Sequence, residues 1–426
     1  MITDWVADAV AKAAPQLVSD RRHLHQHPEL SGQEFQTARY IADRLDTLGL
    51  HAQLLLDGTA VVGELTGSLA GSLDGTGSGD RSILVRADID ALPIQENGPD
   101  RPYRSLVPGV MHACGHDAHT AIALGVAEIL STNRDRFAGR VRFAFQPAEE
   151  LVNGAARMIA AGALGDPVPD AVIGLHVLRQ LEVGTIGVRA GAIFASADYF
   201  TIKVQGRSAH GGLPHQGLDP IPVASAIVLA LQTLVSREVS PLDSAVISVG
   251  TIHGGEVINN IADSVVLTGC MRAFTPEVRS HLLIRVAEIV TGIAKAAGMH
   301  ASFTRGPSSP PAISDPGMVE LVRNAVHAIP GVEVHEVGTL SVGDDMAEFL
   351  EAAPGCYFML GAGNAPDGVH APHHHPDFDL DERCLPIGAN VLINAVLQYC
   401  SSGAPEVTGM TSAGGSGGPP QRMDGR

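Results

Sequence analysis

The chain has 426 residues, 45% of them hydrophobic, which is enough for a large core and about two domains. A net charge of −18 argues against nucleic acid or an anionic membrane as partner. Five cysteines without a C-x-x-C or framework spacing argue against a disulfide scaffold, a paired-cysteine zinc knot and a redox motif, and suit a reducing compartment.

Residues 1–20 predict an amphipathic helix carrying Asp4 and Asp8, without the basic region and apolar core of a signal peptide. His23, His25 and His27 follow at i, i+2 and i+4. Pro28 ends any helix there, so this run reads equally as a ligand cluster or as a helix end packed beside a site. Residues 34–48 show helical spacing with Gly49 as a stop. Residues 54–65 read as two short strands around the turn Asp57-Gly58, and residues 67–80 as a surface loop. A strand over 83–87 runs into Asp88-Ile89-Asp90, two acids where α/β sheets place functional groups. They could bind metal, orient a ligand imidazole, or be ordinary turn acids.

The densest chemistry is Met111-His112-Ala113-Cys114-Gly115-His116-Asp117-Ala118-His119, directly before a helical run over 120–130. Thiolate, imidazole and carboxylate together suit zinc, or mixed-ligand manganese, cobalt or nickel sites. Cys114 and His116, two residues apart, can point to one side of a strand or loop end. Ordinary buried packing is the bland alternative for a Cys beside a His. A strand over 141–146 ends in Pro147-Ala148-Glu149-Glu150. Adjacent carboxylates point to opposite sides of an extended chain, which suits one ligand and one general base rather than two equivalent ligands. His176, inside the apolar run 171–177, joins the candidates because the other clusters also lie at strand ends.

Near residue 187 the pattern changes. Strands over 199–205, 244–252 and 264–274, helices over 219–238 and 276–297, and a last strand over 300–304 give the order β-α-β-β-α-β, the ferredoxin-like arrangement. It reads as a domain over 188–305 inserted between 1–187 and 306–400, with residues 307–311 as the return linker. Helices over 315–328 and 345–351 and strands over 332–336 and 356–360 follow. Then come the histidines of 370–375 and a helix over 384–399. The triple histidine His373-His374-His375 marks a buried polar site, and 401–426 reads as a disordered tail. The longest apolar stretch, 221–235, is shorter than a bilayer span and interrupted by Ser225, Gln232 and Thr233, so a soluble cytoplasmic protein is expected.

Five motifs in combination resemble the M20 metallopeptidase family: Arg86-Ala87-Asp88-Ile89-Asp90-Ala91-Leu92-Pro93, Met111 to Asp117, Phe145 to Glu150, Gly174-Leu175-His176, and His374-His375-Pro376. The amidohydrolase branch, with hippurate hydrolases and plant auxin-conjugate hydrolases, is the nearest part, and the likeness runs from about Arg21 to Tyr399. It implies an α/β, mixed-sheet catalytic domain with an inserted ferredoxin-like α+β lid that also forms a homodimer. It further implies two divalent metal ions (Zn, Mn, Co or Ni) held by Cys114, His116, Glu150, His176 and His374, the last chosen by the pattern His-x-Pro. Glu149 is implied as general base and Asp90 as the residue that orients a ligand. His210, in Ser208-Ala209-His210-Gly211-Gly212, resembles the residue that polarises the scissile carbonyl, often in the partner's site. Asn259 and Arg272 resemble a pair that grips a substrate carboxylate. Ala262 stands where Pro is usual, and Val342-Gly343-Asp344-Asp345-Met346 replaces a Ser-Glu-Asp-Phe pattern. The expected activity is hydrolysis of the amide of an N-acyl amino acid. The rivals are a dipeptidase or carboxypeptidase of the same family, and a metal-binding protein without catalysis.

Overall fold

The structure, a computed structural model, describes residues 2–69, 81–97, 101–364 and 371–401. Most of the 67–80 stretch, His370 and the tail beyond Ser401 lie outside the described residues.

Helix α1 (Ile2–Gln26) runs past its expected end and stops just before Pro28. Val6, Val10, Leu17 and Leu24 are buried at helical spacing along it. Helix α2 (Phe35–Thr47) buries Ile41, Ala42 and Leu45. Strands β1 (Gln53–Leu55) and β2 (Ala60–Thr66) pair antiparallel across the Asp57-Gly58 turn. Strand β3 (Ser82–Asp88), helix α3 (His116–Ser131), strand β4 (Arg140–Gln146), helix α4 (Gly154–Ala160) and strand β5 (Ala171–Glu182) follow. Next come the short strands β6 (Thr185–Val188) and β7 (Gly191–Phe194).

A second unit begins at β8 (Ala197–Gln205) and continues through α5 (Pro220–Thr233), β9 (Ala245–Gly254), β10 (Ser264–Ala273), α6 (Pro276–Ala296) and β11 (His300–Ser309). The chain then returns through β12 (Ala312–Ser314), α7 (Pro316–His327), β13 (Glu333–Glu336), α8 (Met346–Ala352), β14 (Gly355–Gly363) and α9 (Cys384–Ser401).

The larger sheet has the order β1-β2-β4-β3-β5-β14-β6-β13. Strands β4, β3, β5 and β14 run parallel to their neighbours in that series. Such central strands are covered on both faces and read as near-continuous apolar runs. In β14, Phe358 and Leu360 face a core shared with α1, α3, α7 and α9, while Tyr357 and Met359 face the core under α4 and α8. Because β3, β4 and β5 are parallel and in register, their carboxyl ends lie at one edge. Asp88 pairs with Gln146 there, and β5 carries His176 to the same side.

The smaller sheet has the order β11-β8-β10-β9, all antiparallel, with α5 and α6 packed on one face. The order 4-1-3-2 is ferredoxin-like. Residues 307–309, read from the sequence as linker, extend β11, since Ser308 and Ser309 pair with Asp198 and Ala197. At its base β7 and β12 pair as a two-stranded ribbon. The apolar stretch 221–235 is lengthened by a π-helical turn, so Pro220–Glu238 and Cys384–Ser401 are both long and apolar enough to cross a membrane. In α9 most of that surface is core. In α5 one face, with Val223, Ile227 and Leu231, packs on the smaller sheet, while Ile221 and Leu229 are exposed.

Candidate metal centre and active site

The stretch 111–119 is a loop that turns into α3 at Gly115. Gly115 has φ +93°, and a Cβ there would lie 2.3 Å from Val177 Cγ2, so glycine is required by both conformation and space. The tight entry places buried Cys114 and His116 on either side of this turn, facing the strand ends.

Neighbouring acceptors fix the tautomers of two histidines. His116 Nδ1 lies 3.0 Å from the Asp90 carbonyl and 3.1 Å from Asp90 Oδ1, so it carries the hydrogen. Its Nε2 lone pair is then free, is buried without a partner, and lies 3.9 Å from Glu149 Oε2 and 4.0 Å from Glu150 Oε1. His176 Nδ1 donates to the Val177 carbonyl at 2.7 Å, which leaves its Nε2 3.6 Å from Cys114 Sγ. His374 adopts φ +65°, is tied by its own N–H to the Ala113 carbonyl, and sets its Nε2 3.3 Å from Glu150 Oε1. Asp90 also accepts from Ser31 Oγ and from the Glu150 amide, so one carboxylate aligns a histidine and the glutamate loop together.

These donors meet in three overlapping groups: Cys114, His116 and His176; Cys114, Glu150 and His374; and His116, Glu149 and Glu150. Within each group the ligand atoms lie within 4.8 Å of one another, and Cys114, His116 and Glu150 each recur among these three; His116 also groups with Asp88 and His119, and Glu149 with Asp344 and Asp345. Shared donors between adjoining positions are what a two-metal centre requires. The sulfur, nitrogen and oxygen set suits zinc, manganese, cobalt or nickel. Two buried atoms without hydrogen-bond partners, His116 Nε2 and Glu150 Oε1, are the kind that a cation would satisfy. Cys114 and Glu150 facing His374 push its imidazolium up to about 10, a sign that positive charge is favoured at this point. The residues fit a divalent pair.

Glu149 and Glu150 do not point to opposite sides, as an extended chain would have them. The strand has ended, Ala148 takes φ +53°, and the Val152 amide donates to the Glu149 carbonyl at 2.7 Å. This turn swings both carboxylates towards His116. Burial, then the facing Asp344 and Glu150, hold the Glu149 carboxyl well above its ordinary range.

The remaining histidines of the stretch are not alike. His119 Nδ1 bonds Asp88 Oδ1 at 2.6 Å and its Nε2 accepts the Val177 amide at 2.9 Å, so both nitrogens are used and it acts as a strut. His112 is buried with its ring centre 6.4 Å from that of His25, and neither of its ring nitrogens has a hydrogen-bond partner among the described residues. Of the earlier run, His25 is buried against Asp117 and Glu96, while His23 stacks on Tyr40. That run is a helix end packed beside the site.

Sequence reasoning missed a buried network beside Glu149. Arg86 contacts Asp88, Gln146, Asp344, Asp345 and Tyr357, so the departure at 342–346 is joined to strand β3. The signal was Arg86 itself, a cation inside an apolar strand.

A cavity of about 410 Å³ opens over the cluster, with Cys114, Glu149, Glu150, His176 and His374 among its lining residues. Arg272 also lines it, its guanidinium 5.3 Å from the Tyr199 ring centre and within 3.4 Å of the Tyr199 hydroxyl. His210 and Asn259 do not line it. They sit together at the far end of the smaller sheet, where the Gly211 amide donates to the Asn259 carbonyl and exposed His210 bridges to Asn260. Strand β10 separates Asn259 from Arg272, and Ser264 to Arg272 spans roughly 27 Å of extended chain. Within one chain these two residues cannot grip one carboxylate, so acting as a pair would require Asn259 from a second copy.

The model of the peptidase family M20/M25/M40 matches residues 84–398. The N-acetyl-L-cysteine deacetylase of Bacillus subtilis is 41% identical over 370 residues, 87% of this chain and 85% of that protein. The IAA-amino acid hydrolase ILR1-like 4 of Arabidopsis thaliana is 34% identical over 388 residues, 90% of this chain and 85% of that protein. The crystal structure of the Bacillus subtilis YXEP protein, described as a dinuclear metal binding peptidase from the M20 family, superposes with TM-score 0.76. It is 32% identical and covers 91% of this chain and 99% of its own. With the sheet order, the inserted ferredoxin-like unit and the shared donors at the strand ends, these likenesses lead to one conclusion: the chain belongs to the M20/M25/M40 peptidase family.

Proposed function

We propose that this protein hydrolyses the amide bond of N-acyl amino acids at a pair of divalent metals held by Cys114, His116, Glu150, His176 and His374. The observation that carries the reading is Glu149. Its carboxylate stands beside the donor cluster, faces the cavity, and accepts no hydrogen bond among the described residues. A metal store needs ligands but no such unengaged base.

When bound, the metal pair supplies Lewis acidity and makes water acidic near neutral pH. Glu149 takes the proton from the attacking water and returns it to the leaving amine nitrogen. Asp90 holds the His116 ring and the Glu150 amide in place throughout. Arg272, with a planar fork suited to two oxygens, takes the substrate carboxylate. His210 donates a hydrogen bond to the carbonyl oxygen as negative charge develops there, a contribution on the order of 3–4 kcal/mol.

His210 and Asn259 reach that position from a partner's lid. Two features support a homodimer through this domain. Strand β9 is a sheet edge carrying exposed Val246 and Ile252, and the adjoining face of α5 exposes Ile221 and Leu229. An unpaired edge beside an apolar helix face suits a second copy related by a two-fold axis. All five cysteines are free, in keeping with a cytoplasmic location.

The test is a turnover screen of the metal-loaded protein against acetyl, benzoyl, indole-acetyl and fatty-acyl amino acids, with dipeptides alongside. Turnover of acyl amino acids supports the proposal. Turnover confined to dipeptides supports the peptidase rival, and firm metal binding without any turnover supports a non-catalytic protein.

A further inference from the structure

The turn that carries Glu149 and Glu150 runs against backbone preference, and what holds it lies far away in the chain. Ala148 has φ +53° and Val152 φ +54°, values that residues with a Cβ seldom adopt. Ala148 is fully buried, so its amide must find a partner inside the protein. That partner is Glu34 Oε1, which accepts the Ala148 amide at 2.8 Å from 114 residues earlier in the sequence. On the other side, the Glu150 amide donates to Asp90 Oδ2 at 3.1 Å. The amides flanking Glu149 are thus both held by buried carboxylates.

The two carboxylates are tied to each other through one short segment between α1 and α2. Ser31, three residues before Glu34, donates its hydroxyl to the same Asp90 Oδ2 at 2.7 Å. The segment is fastened to the end of β3, since the Ala91 amide donates to the Glu29 carbonyl and Leu30 bridges to Ala91. Within it, the Gly32 amide also donates to Glu34 Oε1, at 2.8 Å. Helix α2 begins directly after Glu34, yet the Glu34 side chain makes no cap hydrogen bond to it. Its other oxygen, Oε2, is buried without a hydrogen-bond partner among the described residues. Burial, then the neighbouring Asp90, push the Glu34 carboxyl up to about 7. A buried carboxyl that caps no helix and leaves one oxygen unmet costs stability. Packing does not account for it.

We propose that Glu34 is a positioning residue for the reaction: its Oε1 holds Ala148 in the left-handed conformation and so aims the Glu149 base and the Glu150 ligand at one point. The role of Glu149 in this statement rests on the hydrolase reading above. Without the anchor, residue 148 relaxes towards extended backbone, which turns adjacent carboxylates to opposite sides. A misplacement of about 1 Å at a reacting group can cost on the order of 10²-fold in rate. Loss of a group that supports a metal ligand commonly costs about 10–100-fold in affinity. What the site needs from Glu34 is an oxygen acceptor at Oε1, not a second negative charge beside Asp90.

The experiment compares Glu34→Gln, Glu34→Ala and the double variant Glu34→Ala/Ala148→Gly in the full chain. It reads kcat and KM for an N-acyl amino acid at saturating metal, metal affinity by chelator competition without substrate, and Tm. Glu34→Gln keeps an oxygen acceptor, so its kcat should stay within about threefold of wild type. Glu34→Ala should lower kcat and metal affinity at least about tenfold each, with KM within about twofold. Glycine takes a positive φ without steric cost, so Ala148→Gly in that background should recover about fivefold in both, with no rise in Tm. A merely structural role would behave differently, because a loosened chain would lower Tm and activity together. Should Glu34→Ala fail to fold, Glu34→Met fills the same space without an acceptor and carries the same expectations. Wild-type kcat and affinity in the variant that lacks the acceptor, or losses that glycine at 148 does not recover, overturn the proposal. If the wild type turns over no acyl amino acid, the hydrolase reading has failed, while the affinity measurements still decide whether Glu34 positions the turn.

Discussion

Asp90 Oδ1 lies 3.1 Å from His116 Nδ1, and the Asp90 backbone carbonyl lies 3.0 Å from the same nitrogen. One residue thus sets both the tautomer and the ring plane of a histidine whose other nitrogen faces the donor cluster. Such supporting partners commonly account for 10–100-fold in metal affinity. Asp90→Ala keeps the carbonyl acceptor but loses the carboxylate and its hold on Ser31 and the Glu150 amide. Its metal affinity, read by chelator competition, should fall within that range. Wild-type affinity would mean that Asp90 does not orient the ligand.

Cys114 is the only sulfur donor in the cluster and is shared by two of the donor groups among the described residues. Cys114→Ser should weaken metal binding at least about tenfold and shift metal preference from thiophilic towards harder ions. Metal content after dialysis is the readout, with Cys356→Ala, a core position on β14, as the comparison expected to retain metal. Unchanged metal content in Cys114→Ser would mean that the 111–119 stretch is packing rather than a site. Cys270, half-buried on β10, should react with alkylating agents faster than Cys356, Cys384 and Cys400.

The distance between His210 and the cavity of its own chain makes subunit exchange informative. Glu149→Gln and His210→Ala should each be inactive as homodimers. Mixed under exchange, a trans arrangement puts both lesions in one site and leaves the other intact. Random pairing should then restore about a quarter of wild-type activity. No recovery, with exchange confirmed by mass, would place His210 in its own subunit's site.

Stability should depend on a buried ion cluster packed beside the site. Arg21 is enclosed with Asp117 at 2.9 Å, Asp379 at 3.0 Å and Glu382 at 3.2 Å. Removing one member of such a pair costs about 3–5 kcal/mol, so Arg21→Met should lower Tm markedly. Burial would raise the Asp117 carboxyl, but Arg21 and the His25 hydrogen bond outweigh it and hold it well below the ordinary value of 3.8. A depressed folded pKa contributes stability above 3.8 that is lost as pH falls below it. The gap between wild type and Arg21→Met should therefore narrow in acid. A gap that widens below pH 3.8 would contradict this.

Much of this was legible in the sequence because period, punctuation and ligand chemistry agree locally. The strand over 83–87, the helix after Gly115 and the inserted β-α-β-β-α-β unit follow from apolar spacing and breakers. Strands β6, β7 and β12 did not announce themselves, since three or four residues are too few to show a period and their partners lie far away in the chain. The Glu149-Glu150 geometry was misread because the turn depends on a positive φ at Ala148, which no residue type signals. Likewise, nothing local distinguishes His119, saturated by Asp88 and Val177, from His116. The separation of Asn259 from Arg272 is a consequence of β10 lying between them, visible once that strand is counted in ångströms rather than residues.

The central claim is that Glu149 is a base beside a metal pair rather than one more ligand. Glu149→Gln preserves size and removes the proton acceptor. Metal content and turnover of an N-acyl amino acid, measured on the same metal-loaded sample, test it most directly. The account predicts wild-type metal content with turnover reduced at least ~10²-fold. Near-normal turnover in the fully metallated variant, or loss of metal as in Glu150→Gln, would contradict it.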